Sequence, residues 1–445
     1  MLNDFFKMDE NKTDLKTEII AGITTFLAMS YILGVNPGML SQTGMPIEGV
    51  FIATALASGI ACILMGLLSN YPVGLAPGMG LNALFTYTIV LGMGLSWNAA
   101  LAAVFLSSII FLLITVIGLR ETILNAIPND LKLAIGSGIG FFLAFLGLVN
   151  AGIIVSNPTT VVALGNMASP HVLLASISII ITLALYVKKV PAAVFFGLIL
   201  TAILGVVFSL VGFTSPDAAL PTIPKTWISF NLNFSVFGGF LSGFGELLSR
   251  ISSLILILFS LLFVTFFDTT GTLIPIAKEC GYVKEDGSTE GINKAFISDA
   301  IGGIIGALFG SSTVTAYVES ATGIGLGGRT GITAIVTGIL FIISVFLAPA
   351  ILSLFKSSVT AAAMVTVGIL MFGQIKDINW DNLSIVASVF LTIIMMLLSN
   401  SISLGIAFGF ITYTITSIAE GKYDELNPLV VIMFVVFLIY LFFRL

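Results

Sequence analysis

NYPVGLAPGMGLNALF, residues 70–85, sets Pro72, Gly74, Pro77, Gly78 and Gly80 within nine residues of a stretch otherwise apolar enough for a membrane. Proline removes a backbone donor and glycine loosens a helix, so the spacing predicts extended backbone rather than one continuous helix. A second interrupted stretch, GSSTVTAYVESATGIGLGGRTG at 310–331, puts β-branched and hydroxyl residues ahead of a glycine-rich helix. In lipid, non-helical chain is tolerated only where it lines a cavity or is buried in protein. Two such breaks therefore point to a cavity near mid-membrane, with half-helix N-termini aimed at a ligand. The alternative, that these glycines serve close helix packing, stays open.

The surrounding chain makes the membrane class plain. Of 445 residues, 58% are hydrophobic and 9% charged, where a soluble domain carries roughly 25% charged residues. Apolar stretches approaching the ~20 residues of a span recur from 18–40 to 427–443 and make about fourteen elements, an all-α polytopic fold. The N-terminus MLNDFFKMDENKTDLKTEII is polar and lacks the core of a signal peptide. Two cysteines, Cys62 and Cys280, build no disulfide framework. Nothing resembles a nucleic-acid footprint, and no phosphate-loop motif offers ATP as an energy source. No cofactor is expected.

Lysines and arginines set the topology. Lys7, Lys12 and Lys16 precede the first span, and Arg120 and Lys132 flank the fourth-to-fifth connection. Lys188 and Lys189 join the sixth to the seventh, and Lys278, Lys284 and Lys294 follow the eighth. Alternating spans place all of them on one side, the cytoplasm by the positive-inside rule, together with the N-terminus. Lys225 and Arg250 are the exceptions. ASGIACILMGLLSNYPVG at 57–74 overlays IGGIIGALFGSSTVTAYV at 301–318, and the same spacing of 244 residues lays GITTF, 22–26, over FFDTT, 266–270. Seven spans before the second copy would invert it, as in secondary transporters.

Asp268 lies deep in the eighth segment, Glu319 in the tenth, and Asn82 ends the proline–glycine stretch of the third. A charge at mid-bilayer costs at least about 2.5–3.5 kcal/mol on insertion scales, which makes each acid a candidate site residue. The structural alternative is a carboxylate bonded to backbone or paired with Arg329. Low dielectric disfavours a charged carboxylate, so such groups can carry protons or accept hydrogen bonds from ligand N–H groups. The single histidine, His171, falls in a predicted outer loop, and Asp299 near a helix start; neither is expected in the site. Glu279, Glu285, Asp286 and Glu290 read as a solvated loop, and Glu48 and Glu246 as interfacial. Among the aromatics, Phe26, Phe85, Phe267 and Tyr317 neighbour the broken or acidic segments and could stack on a planar ring.

ENKTDLKTEIIAGITTFLAMSYIL near the start, GLAPGMGLNALF, FVTFFDTTGTL and TAYVESATGIGLGGRTG, in that order, resemble the azaguanine-type (AzgA-like) purine permeases. These belong to the nucleobase–cation symporter superfamily with the uracil and xanthine permeases. The resemblance implies fourteen segments in two inverted repeats, 18–212 and 248–445, after an N-terminus of 1–17 and around an outer connection of 213–247. It implies a core of 18–119 with 251–353 and a gate of 131–212 with 358–445. It implies a plasma-membrane importer of purine bases driven by protons, compatible with a homodimer. The implied site holds Glu319, Asp268, Asn82, Thr25, Thr315, Tyr317 and Val318, with Phe26, Phe85 or Phe267 at the ring. Thr272 stands where uracil-permease relatives carry a histidine, so a histidine relay is not expected. Alternatives are a uracil or xanthine permease of the same superfamily, an anion transporter of the same fold, or a channel.

Overall fold

The computed structural model describes residues 2–120, 123, 127–214, 220–283, 289–423 and 426–443. Lys284, Glu285 and Asp286 lie outside these. Eleven described helices are long and apolar enough to cross a membrane, and three shorter apolar ones (Met79–Gly92, Leu383–Leu398 and Pro428–Ile439) accompany them. The sequence predicts about fourteen elements, several of them shorter than a full span; the third and tenth segments are interrupted by extended chain.

Two bundles account for the long helices. The first contains α2 (Leu15–Met29), α3 (Ile32–Leu40), α4 (Ile47–Ser69), α5 (Met79–Ala83) and α6 (Trp97–Ile117). α1 (Leu2–Phe6) sets Phe6 in a small apolar cluster with Met8 and Ile332. The second bundle begins with α7 (Asn129–Asn150), α8 (Pro170–Val187) and α9 (Ala193–Leu210). After α10 (Phe240–Ser249) the chain returns to the first bundle with α11 (Ile251–Glu279), α12 (Ile292–Phe309), α13 (Ala321–Gly325), α14 (Gly331–Ser344) and α15 (Ala348–Leu354). α16 (Ser357–Phe372), α17 (Leu383–Leu398) and α18 (Ile402–Ala419) complete the second bundle, and α19 (Pro428–Phe443) packs on α18.

Small residues let these helices touch backbone to backbone. A Cβ at Gly59 of α4 would lie 2.8 Å from the Gly338 carbonyl of α14, and one at Gly338 would lie 2.5 Å from the Gly59 carbonyl. In lipid such close packing replaces a hydrophobic driving force between helices. Glu18 of α2 ties the same corner. Fully buried, its carboxylate accepts from the amides of Arg329 (2.8 Å), Thr330 (3.1 Å) and Thr333 (3.2 Å), and so caps α14 from another helix.

Both interrupted stretches are extended, as their prolines and glycines predicted. β1 (Leu75–Pro77) and β4 (Val314–Ala316) pair antiparallel, with Leu75 opposite Ala316 and Pro77 opposite Val314. Their ends are satisfied too. The Tyr317 amide donates to the Gly74 carbonyl at 3.0 Å, the Gly78 amide to the Thr313 carbonyl at 3.0 Å, and the Gly74 amide to Ser320 Oγ at 3.0 Å. The Leu75 amide donates to Cys62 Sγ at 3.0 Å. This explains how extended chain persists inside an apolar bundle: its polar groups find partners within the protein. Past β1 the chain continues as α5 and then a π-helix to Gly92, and past β4 as a 3₁₀ turn into α13.

Other readings change. The stretch after α7 holds a hairpin of β2 (Ile154–Asn157) and β3 (Val161–Leu164). His171 is not in a loop; it sits in the first turn of α8, with Nδ1 2.9 Å from Ser169 Oγ.

Candidate functional site

Between the bundles lies a cavity of about 890 Å³. Asp268 and Thr272 of α11, Glu319 after β4, Gly80 of α5 and Ile139 of α7 line its inner part. Lys132, Tyr186 and Gln374 line the part nearest the ends of α7, α8 and α16.

Each acid is positioned by a different element. Asp268 is carried by the long α11, one residue from the buried Thr269 and partly exposed to the cavity. Opposite it the chain has Gly78, where a Cβ would lie 3.1 Å from Asp268 Oδ2 and 2.7 Å from the Thr315 methyl. A glycine is required there for the backbone to come so near the carboxylate. Glu319 stands in the turn between β4 and α13, partly exposed, and Oε1 accepts from the Tyr31 hydroxyl at 2.5 Å. Thr322 Oγ1 donates to the Glu319 carbonyl. Among the described residues no lysine or arginine forms an ion pair with either acid. Arg329, the partner considered from sequence, instead donates Nη1 to the carbonyls of Ile324 (2.6 Å) and Gly328 (2.7 Å).

A second layer lies behind the strands. Asn82 is fully buried; its Oδ1 accepts from Ser312, and its Nδ2 is 3.4 Å from the Pro77 carbonyl. Tyr317 donates to that carbonyl at 2.5 Å. Asp299, in the third turn of α12, accepts from the Ala316 amide at 2.7 Å, Thr269 at 2.7 Å and Thr315 at 3.1 Å. It thereby pins β4 to α11. Arg120 is buried beside it, with Nη2 donating to Thr270 at 2.7 Å and the guanidinium 3.3 Å from the Phe296 ring centroid.

Of the residues singled out in the sequence, Asp268, Glu319, Thr272, Phe267 and Val318 line the cavity. Asn82, Thr315 and Tyr317 do not; they hold the strands from behind. Thr25 is fully buried, its methyl 3.3 Å from where a Cβ on Gly74 would stand. Phe26 packs edge-on against Phe341 at 5.1 Å, and Phe85 is buried in the core, so neither reaches the cavity. Sequence reasoning missed Tyr31, Glu18 and Asp299. The last carried a readable signal, a carboxylate inside the glycine-rich helix INKAFISDAIGGIIGALF.

The arrangement offers a planar ligand two carboxylate acceptors, a threonine hydroxyl and an aromatic face, in a slot that both bundles share. The chain matches the Permease family over residues 16–408. It is 44% identical over 456 residues to the guanine/hypoxanthine permease PbuG of Bacillus subtilis (strain 168), covering 99% of this chain and 100% of that protein. It is 38% identical over 443 residues to the adenine permease AdeP of Escherichia coli (strain K12), covering 99% of this chain and 95% of that one. The fold resembles the transmembrane domain of a cyanobacterium bicarbonate transporter, BicA, with a TM-score of 0.64 at 16% identity, over 88% of this chain and 97% of that one.

Proposed function

The chain belongs to the Permease family, and from that premise we propose that it imports purine nucleobases together with protons by alternating access. One observation carries the reading: two carboxylates without a cationic partner face a cavity that lies between two bundles. A neutral base with ring N–H donors fits such acceptors, whereas an anion would be repelled by them. The likeness to the bicarbonate transporter concerns the fold alone. The relatives' names, guanine/hypoxanthine and adenine permease, support a purine.

On this reading Glu319, held by Tyr31, accepts hydrogen bonds from the base, and Asp268 binds the base and carries the coupling proton. Asn82 and the amides of Thr315–Tyr317 keep the strands in place, and Phe267 offers a stacking face. The first bundle, residues 18–119 and 251–353, acts as the core; the second, 131–212 and 358–445, acts as the gate. The lysine-bearing ends face the cytoplasm.

Glu319→Ala is expected to abolish uptake of radiolabelled hypoxanthine in cells while the protein still reaches the membrane; near-normal uptake would sink the assignment. For Asp268→Asn, binding of hypoxanthine by purified protein should survive while accumulation driven by a pH gradient is lost. Retained concentrative uptake would remove the coupling role. Competition by guanine, adenine, xanthine and uracil separates the purine reading from its uracil and xanthine alternatives, and saturable accumulation against a gradient excludes a channel.

A further inference from the structure

A second cavity, of about 270 Å³, lies at the other end of the helix pair that borders the first. Asn129 and Lys132 at the start of α7 line the large cavity, as does Gln374 just past α16. Asn150, which closes α7, and Ser357, which opens α16, line the small one. α7 has 22 residues, so at 1.5 Å per residue its two ends stand about 33 Å apart.

Among the described residues, no charged side chain lines the small cavity. Its polar groups are the amides of Gln42 and Asn150 and the hydroxyls of Ser357 and Thr360; Phe355 supplies a ring. Gln42 and Ser357 are exposed, so the cavity has a way to the surface, while Thr360 is buried. A primary amide offers both donors and an acceptor, and Asn and Gln side chains form paired hydrogen bonds with base edges. A neutral lining of this kind favours a neutral, planar, hydrogen-bonding ligand over an anion or a cation.

The same residues hold the bundles together. Asn150 Nδ2 donates to the Tyr87 hydroxyl at 3.2 Å, a bond from the second bundle to the π-helical turn of the first. Alongside it, a Cβ at Gly34 would lie 2.8 Å from Phe355 Cβ and 3.2 Å from the Thr360 methyl. We propose that the small cavity is a second binding site, which takes a neutral nucleobase at the closed end of the seam before the bundles part. A base that engages the Asn150 amide competes with Tyr87, so occupancy loosens the bond that closes this end. The proposal rests on the nucleobase-transport reading above.

The test is uptake of radiolabelled hypoxanthine by cells making the full chain, with membrane abundance measured for each variant. Asn150→Ala and Gln42→Ala remove lining amides, and each should raise KM about tenfold, the effect of one hydrogen bond to a ligand. Gln42 is exposed, so its variant reports on the site even if Asn150→Ala fails to fold. Tyr87→Phe removes the latch but no lining group and frees the Asn150 amide for the base; it should lower KM, the opposite of the amide variants, and change kcat. If neither amide variant raises KM, or if Tyr87→Phe reproduces Asn150→Ala in both constants, the cavity is only part of the seam and the proposal is overturned. Absence of hypoxanthine uptake by the unaltered protein would instead overturn the transport reading, and this site with it.

Discussion

Glu319 and Asp299 show how differently two buried carboxylates can be used. Glu319 has one side-chain donor, Tyr31, and keeps part of its carboxylate open to the cavity. Asp299 is 1% exposed and accepts from two hydroxyls and one amide, which leaves it little freedom for a ligand. Tyr31→Phe should therefore weaken hypoxanthine binding by about 10- to 100-fold, since a hydrogen bond to a charged group contributes about 1.5–3 kcal/mol; unchanged affinity would show that Tyr31 does not hold the carboxylate for the base. Asp299→Ala should act on stability instead. It leaves the Ala316 amide without its acceptor, and one orphaned buried donor costs about 1–3 kcal/mol. The thermal midpoint of detergent-solubilised protein should fall, and an unchanged midpoint would refute the pinning of β4. From sequence, Asp268 and Glu319 were legible because each interrupts an apolar segment. Asp299 also interrupts an apolar, glycine-rich stretch, but its place near a helix start left it unassigned, and only the fold buries it under a strand.

At the scale of elements, the broken segments were readable and their pairing was not. Pro72, Gly74, Pro77, Gly78 and Gly80 forbid a regular helix, but nothing local says that Leu75 will face Ala316, 241 residues away. Helix contacts follow the same division. α7 and α16 meet at Gly140 and Gly368, where a Cβ on either would come within 2.6 Å of the other's carbonyl oxygen. Gly140→Ala should lower stability by about 1–3 kcal/mol, the usual cost of overpacking a close crossing, measured as a drop in thermal midpoint. An unaltered midpoint would mean the pair can slide apart without loss. Many of the chain's 45 glycines look alike in the sequence; the structure separates those at crossings from Gly245 and Gly271, which have nothing within 4 Å of a would-be Cβ.

For the whole molecule, two bundles with a large cavity at one end and a narrow seam at the other make one conformation of a pair that, on the proposed alternating access, has to move. Gly34 of α3 and Thr360 of α16 stand on opposite sides of that seam, the Thr360 methyl 3.2 Å from where a Cβ on Gly34 would lie. Cysteines placed by Gly34→Cys with Thr360→Cys should cross-link on mild oxidation, because this contact brings the two Cβ positions near the ~3.5–4.5 Å a disulfide spans. Uptake should stop and return on reduction. Full uptake by the cross-linked protein would show that this seam does not open. Composition and charge spacing had announced a polytopic membrane chain with one face rich in lysine. They could not announce which helices share a bundle, since apolar spans differ little from one another along the chain.

Sequence by itself determined the solvent, the two interruptions and the two acids set in apolar segments. Each follows from a local rule: too few charges for water, proline and glycine where a helix needs amides, and carboxylates where lipid disfavours them. Tertiary structure alone decided that the interruptions form one antiparallel pair, that Tyr31 meets Glu319 across 288 residues, and that Asn82, Thr25, Phe26 and Phe85 stand behind or away from the cavity. These depend on which small residues let distant backbones meet, a property of pairs of surfaces that no single stretch of sequence contains.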